Sequence, residues 1–165
     1  MTDRIKALAV EVIEAFRSRV ISLSLAESCT GGMIAAAVTE IAGASDIFSG
    51  SAVTYVNEAK ENILGVCPET LAEHGAVSEK CAREMAEGSR RIFGSDIALS
   101  VTGIAGPGGG STAKPVGTVW FGCASAAGTE AFVCHFGGGR RDVRRQSVER
   151  ALSHLLKACG ESGVK

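Results

Sequence analysis

Between Ile21 and Gly43 the sequence ISLSLAESCTGGMIAAAVTEIAG changes its apolar period across two adjacent glycines. Ile21, Leu23 and Leu25 alternate with polar residues, as a short half-buried strand ending at Ala26 does, while the run after Gly32 reads as a helix. A strand that turns at once into a helix belongs to an α/β architecture, in which helices cover the faces of a sheet. A sharp elbow is expected from Ser28 to Gly32.

The remaining segments fit the same architecture. Ile5, Leu8, Ala9, Val12, Ile13 and Phe16 recur at helical spacing between Asp3 and Arg19. FSGSAVTYV, Phe48 to Val56, reads as a strand closed by Asn57 as an N-cap. A short helix, NEAKENILG, should follow and stop at Gly65 and Pro68, and a longer one should run from a Ser78 cap to Phe93. IALSVTG is a buried strand leading into a Gly/Pro loop from Gly103 to Gly117. GTVWFGCASA and EAFVCHF are two strands joined by a hairpin at Ala127, Gly128 and Thr129, and a last helix starts near Arg141. The order predicts a three-layer α/β/α sandwich with a mixed sheet, a single domain over residues 1–165.

Composition narrows the class. Seventeen basic and 18 acidic residues give a net charge of -1, so neither a disordered chain nor a nucleic-acid-coating tail is expected. Glycine, 21 of 165 residues, is the outlier and points to many tight turns. The six cysteines show no CxxC and no paired spacing, which argues for reduced thiols rather than a zinc site or a disulfide framework. His74, His135 and His154 have no metal-ligand spacing either, so no metal is expected. The charged, amphipathic start is neither a signal peptide nor a membrane span, and a cytoplasmic protein without membrane partners is expected.

Several residues carry potential chemistry. Ser28 places a hydroxyl at the carboxyl end of a strand, before a helix opened by Gly31 and Gly32, where free N–H groups suit an oxyanion or a phosphate. The plainer reading is that Ser28 or Thr30 caps that helix. Lys60 lies in the first turn of its helix, where the macrodipole disfavours a cation; partial burial would add to this and free the amine as a general base. A solvated surface lysine is the alternative. Tyr55, the only tyrosine, ends the preceding strand and could bring its hydroxyl to the same rim, or be a half-buried aromatic with a wet tip. The loop TGIAGPGGGST after a buried strand stands where α/β sheets bind ligands, yet it lacks the GxxxxGK[ST] pattern, so ATP hydrolysis has no support. Ser111 and Lys114 match SxxK, but Pro115 and the preceding glycines rule out the helix that pairing needs. Arg140, Arg141, Arg144, Arg145 and Arg150 follow a glycine run; Arg140 could fork onto a phosphate, and the alternative is a solvated helix face.

Taken together, LAESCTGG (Leu25 to Gly32), TYVNEAK (Thr54 to Lys60), HGAVSE (His74 to Glu79), SVTGIAGPGGG (Ser100 to Gly110) and KPVGTVWFG (Lys114 to Gly122) closely resemble the CinA C-terminal-domain family, the nicotinamide-nucleotide amidases. The resemblance runs from about residue 5 to 157, with the motifs in order. It implies a bacterial enzyme that hydrolyses the carboxamide of nicotinamide mononucleotide to nicotinic acid mononucleotide and ammonia, in pyridine nucleotide recycling, with no cofactor or metal. It also implies a nucleophile at Ser28, a base at Lys60 assisted by Tyr55, and substrate contacts from Glu27, Thr30, Gly31, Gly32, Thr102, Gly103 and Arg140. Gly139 stands where the family has an acid before its arginine, so Arg144 is the second candidate for the phosphate. Longer family members carry a further N-terminal domain.

On this reading Lys60 takes the Ser28 proton while N–H groups around Thr30 to Gly32 hold the oxyanion. Cys29 is the rival nucleophile, since a thiolate at a helix N-terminus is easily activated. The competing class is a non-catalytic nucleotide-binding or sensing module linked to competence or DNA damage. The expected partner is a small-molecule nucleotide and not a nucleic acid, with a homo-oligomer as the leaning.

Overall fold

In the computed structural model, which describes residues 1–161, five strands form one mixed sheet. They are β1 (Leu23–Glu27), β2 (Phe48–Val53), β3 (Ile97–Gly103), β4 (Thr118–Ser125) and β5 (Gly128–His135), in the spatial order β2-β1-β3-β4-β5. β1 runs parallel to both β2 and β3; β4 is antiparallel to β3, and β5 to β4. The helices are α1 (Asp3–Arg19), α2 (Met33–Thr39), α3 (Asn57–Ala59), α4 (Pro68–His74), α5 (Glu79–Phe93) and α6 (Arg140–Glu161). α1, α2 and α6 cover one face, and α5 with α4 covers the other, which is the expected three-layer sandwich.

The layers follow from the period-2 alternation of strand side chains between the two faces of the sheet. Leu23 and Leu25, Leu99 and Val101, Val119 and Phe121 all enter the core beneath α1 and α6. Ala26 and Ala52 point the other way, where small side chains let Cys81 and Met85 of α5 come close. α1 supplies Ile5, Ala9, Val12, Ile13 and Phe16 to the first core, and Thr2 caps it by accepting from Ile5 N at 3.3 Å. Full burial of a side chain such as Phe16 contributes roughly 1.5–3 kcal/mol. On the second face Gly88 of α5 packs against the end of the Lys60–Leu64 turn: a Cβ there would sit 2.0 Å from Leu64 O.

Several boundaries depart from the sequence reading. Pro68 does not merely stop a helix; it occupies the first turn of α4, an element the sequence reading lacks, where its missing N–H has no intrahelical partner to lose. β2 ends at Val53 rather than Val56, and Asn57 is the first residue of α3 instead of its cap. After Ala59 the chain continues as a π-turn from Lys60 to Leu64, a form that periodicity does not reveal and that recurs at functional sites. α2 stops at Thr39, well before Gly43, and α6 begins at Arg140, one residue earlier than expected.

Candidate active site

β1 is the point where the parallel sheet departs in two directions, towards β2 and towards β3. In open α/β sheets ligands bind in the crevice outside the carboxyl ends of strands at such a point. Ser28 follows β1 directly, and its N–H still donates to Val101 O at 2.9 Å, so the serine is tied to β3 as it leaves the sheet. The chain then turns sharply. Gly31 N donates to Ser28 O at 3.0 Å, and Gly31 (φ 59°) and Gly32 (φ 90°) occupy the left-handed region that other residues rarely adopt. The elbow read from the sequence is therefore present.

Its support comes from Glu27. This carboxylate is fully buried and accepts from Gly32 N (2.9 Å), Ile34 N (3.1 Å) and Ala35 N (2.8 Å), closing the amino end of α2. Glu27 is thus a helix cap beneath the elbow rather than a lining residue of the cleft. The Gly32 N–H is thus spent on Glu27 and the Gly31 N–H on Ser28 O, so neither is the free donor expected of it. The Cys29 and Thr30 N–H groups make no backbone hydrogen bond among the described residues. Thr30 is buried, and its carbonyl accepts from Arg144 Nη2 at 2.7 Å.

Lys60 reaches the elbow from the other side. Its side chain is 1% exposed, and Nζ lies 3.0 Å from Ser28 Oγ, 2.8 Å from Thr54 O and 3.4 Å from Tyr55 O. Because β2 stops at Val53, the Thr54 and Tyr55 carbonyls are free of the ladder and can accept from the amine. A neutral amine has two N–H bonds for these carbonyls and one lone pair for the serine hydroxyl. Burial pushes the Lys60 ammonium below the ordinary lysine range, opposed by Cys81 and Cys29. That opposition needs thiolates. Burial pushes Cys29 up to about 12 and Cys81 up to about 11, so both remain S–H groups near neutral pH. The same effect weakens Cys29 as a rival nucleophile, although it lines the cleft beside Ser28.

Around this pair the cleft measures about 200 Å³, with Tyr55, Asn57, Thr102, Gly103 and Arg140 among its walls. That is smaller than the ~300–1,000 Å³ of pockets that enclose whole ligands, so it suits the reacting end of a ligand whose remainder extends outward. Thr102 is buried at the end of β3 and donates to Ala76 O at 2.8 Å. Tyr55 contributes to Lys60 through its backbone carbonyl only. Its hydroxyl instead accepts from Arg140 Nη2 at 2.7 Å, while Arg140 Nη1 donates to Gly106 O at 3.0 Å. Tyr55 and Arg140 thus meet at the exposed mouth, while Arg144 lies behind the elbow and outside the cleft.

Four lining residues, Asn57, Ala76, Val77 and Ala105, had no site role in the sequence reading. Ala76 and Val77 lie within the HGAVSE motif, which was the available signal. Ser111 and Lys114 do not form a second pair: the lysine ammonium donates to His74 O at 2.6 Å.

A serine hydroxyl against a buried lysine, at the carboxyl ends of parallel strands, defines a single-domain α/β protein equipped for nucleophilic chemistry. The chain belongs to the CinA C-terminal domain family, which matches residues 5–159. It is 49% identical to the nicotinamide-nucleotide amidohydrolase PncC of Escherichia coli K12 over 158 residues, 94% of this chain and 95% of that one. It is 51% identical over 146 residues to a CinA-like protein of Geobacter sulfurreducens, covering 88% of this chain but 35% of that protein, so it spans about a third of such longer relatives. The crystal structure of the competence/damage inducible protein CihA from Agrobacterium tumefaciens superposes with a TM-score of 0.94 at 42% identity, covering 98% of each chain.

Proposed function

We propose that this chain hydrolyses the carboxamide of nicotinamide mononucleotide to nicotinic acid mononucleotide and ammonia, in recycling of pyridine nucleotides. The observation that carries the reading is Lys60 Nζ, desolvated and 3.0 Å from Ser28 Oγ. The relationship to PncC, over nearly the full length of both chains, supports the substrate.

Neutral Lys60 takes the Ser28 proton as Oγ attacks the amide carbon. The Cys29 and Thr30 N–H groups, which follow the nucleophile and are unspent in the backbone, stabilise the tetrahedral oxyanion. The carbon–nitrogen bond then breaks, and the proton held by Lys60 passes to the leaving group, which departs as ammonia. Water, deprotonated by the same amine, attacks the Ser28 ester, Lys60 returns that proton to Ser28 as the acid is released, and the acid ionises to the carboxylate by losing its own proton to solvent. No step uses a cofactor. Thr102 and Gly103 face the ribose, and the exposed Arg140 takes the phosphate.

The test compares nicotinamide mononucleotide with its phosphate-free nucleoside, following ammonia and the acid product. Wild type should prefer the nucleotide, and Arg140→Ala should raise KM for the nucleotide while leaving the nucleoside unchanged. Saturable nucleotide binding with no ammonia release would make the chain a sensing module instead. If Arg144→Ala alone raised KM, the phosphate assignment would move to that residue.

A further inference from the structure

At the opposite end of the sheet from Ser28, three side chains of metal-ligating chemistry converge. Cys123 on β4 and Glu130 on β5 are directly paired across the hairpin, and His154 comes up from α6 beneath the same face. One ligand atom from each lies within 4.8 Å of the other two. Cys123 and His154 are 5% and 4% exposed, whereas the Glu130 side chain is 54% exposed. The cluster is therefore closed on the protein side and open towards solvent. Cys123 and Glu130 open onto a cleft of about 330 Å³ that Ile97, Ser125, Gly128, Ala158 and Glu161 also line, while His154 lies outside its walls. None of these residues lines the Ser28 cleft. α6 connects the two places, with Arg140 at its first turn and Glu161 at its last.

Two of the three ligands are already in contact: His154 Nε2 lies 2.9 Å from Glu130 Oε1, and this buried nitrogen has no other polar partner among the described residues. In a tetrahedral site with bonds of about 2.0–2.3 Å, neighbouring ligand atoms stand roughly 3.3–3.7 Å apart. The farthest pair here would close by about an ångström. The imidazole itself is held in place: its ring packs 4.4 Å from the Phe132 ring, and Arg150 covers the Phe132 ring at 4.8 Å.

We propose that Cys123, Glu130 and His154 form a site for a single transition-metal ion of zinc type, which fastens the β4–β5 hairpin to α6 and takes no part in the amide chemistry. One sulfur, one imidazole and one carboxylate form a donor set that suits zinc and disfavours magnesium or calcium, which take oxygen ligands. The fourth position faces the cleft, for water or the Glu161 carboxylate. On binding, the Cys123 S–H bond is replaced by a sulfur–metal bond and its proton passes to solvent, with no change of oxidation state. Sequence spacing conceals such a site because its ligands come from three separate elements.

Cobalt(II) titrated into the metal-stripped full chain tests this without using turnover. One equivalent should bind, with four-coordinate visible bands and a near-ultraviolet thiolate charge-transfer band. Cys123→Ser should lose the charge-transfer band, while Cys67→Ser, which removes the exposed thiol, should keep it. Zinc at about 100 times its Kd should raise Tm by about 5–10 °C. Glu130→Gln, on the exposed edge strand, should weaken binding at least tenfold without altering ammonia release, and it carries the test if the core variant fails to fold. No stoichiometric binding, a charge-transfer band that survives Cys123→Ser, or unchanged affinity in Glu130→Gln would overturn the proposal and leave a histidine–glutamate contact beside a packed thiol.

Discussion

Replacing Glu27 tests whether the elbow depends on a buried cap or on substrate contact. The carboxylate satisfies three backbone donors at 2.8–3.1 Å and has no exposed surface. A hydrogen bond to a charged group contributes about 1.5–3 kcal/mol net, and donors left unpaired in the interior cost about 1–3 kcal/mol each. Gly32 is only partly buried, so water can reach its N–H once the carboxylate is gone. Glu27→Ala should therefore cost about 3–4 kcal/mol, and Glu27→Gln, which keeps one acceptor oxygen, about 1–2 kcal/mol. With a urea m-value of about 2 kcal/mol per molar, these losses move the midpoint by about 1.5–2 M and 0.5–1 M. The assay is urea unfolding followed by circular dichroism, with the slope monitored for constancy. A Glu27→Gln midpoint equal to wild type, together with weakened nucleotide binding, would refute the cap and return Glu27 to the substrate.

Three further outcomes follow from the site. Folded Lys60 releases its proton below the ordinary lysine value and unfolded Lys60 at it, so between the two the unfolded chain holds the extra proton and stability rises with pH. That rise should appear in the difference between wild-type and Lys60→Met unfolding curves, while kcat/KM climbs as the folded amine becomes neutral; a flat difference curve would contradict the desolvated amine. Because burial holds Cys29 as a thiol, activity should survive alkylating reagents at neutral pH and Cys29→Ala should keep turnover within a few-fold; complete loss in Cys29→Ala would place the acyl group on sulfur. Gly88→Ala forces α5 away from Leu64 O, costing about 1–3 kcal/mol, and displaces the turn that begins with Lys60, so kcat should fall at least tenfold; wild-type kcat would show that the turn does not set the lysine's position.

The layers and the elbow were legible in the sequence because each rests on local chemistry, whereas the Ser28–Lys60 pair, 32 positions apart, came from the family resemblance, the residues alone leaving a helix cap and a surface lysine open. Strand alternation, paired glycines and an apolar helix fix Ser28 at a strand end whatever the rest of the chain does. The π-turn was hidden, since Lys60 to Leu64 reads as an ordinary helix until α5 and Gly88 press against its end. Glu27 was misplaced for a related reason. An acid beside a nucleophile resembles a ligand contact, and only the return of α2 over β1 shows three N–H groups spending it. The Tyr55 hydroxyl was expected near Lys60, yet its partner is Arg140, a residue 85 positions away whose approach depends on where α6 docks.

The central claim is that Ser28 is the nucleophile and Lys60 its base, and ammonia release from nicotinamide mononucleotide by wild type, Ser28→Ala and Lys60→Ala tests it most directly. With all three chains folded, the account predicts steady release by wild type and a loss of at least about 10³-fold in each variant, the scale of removing one member of a nucleophile–base pair. Turnover retained by Ser28→Ala, or release by Lys60→Ala within a few-fold of wild type, would contradict it.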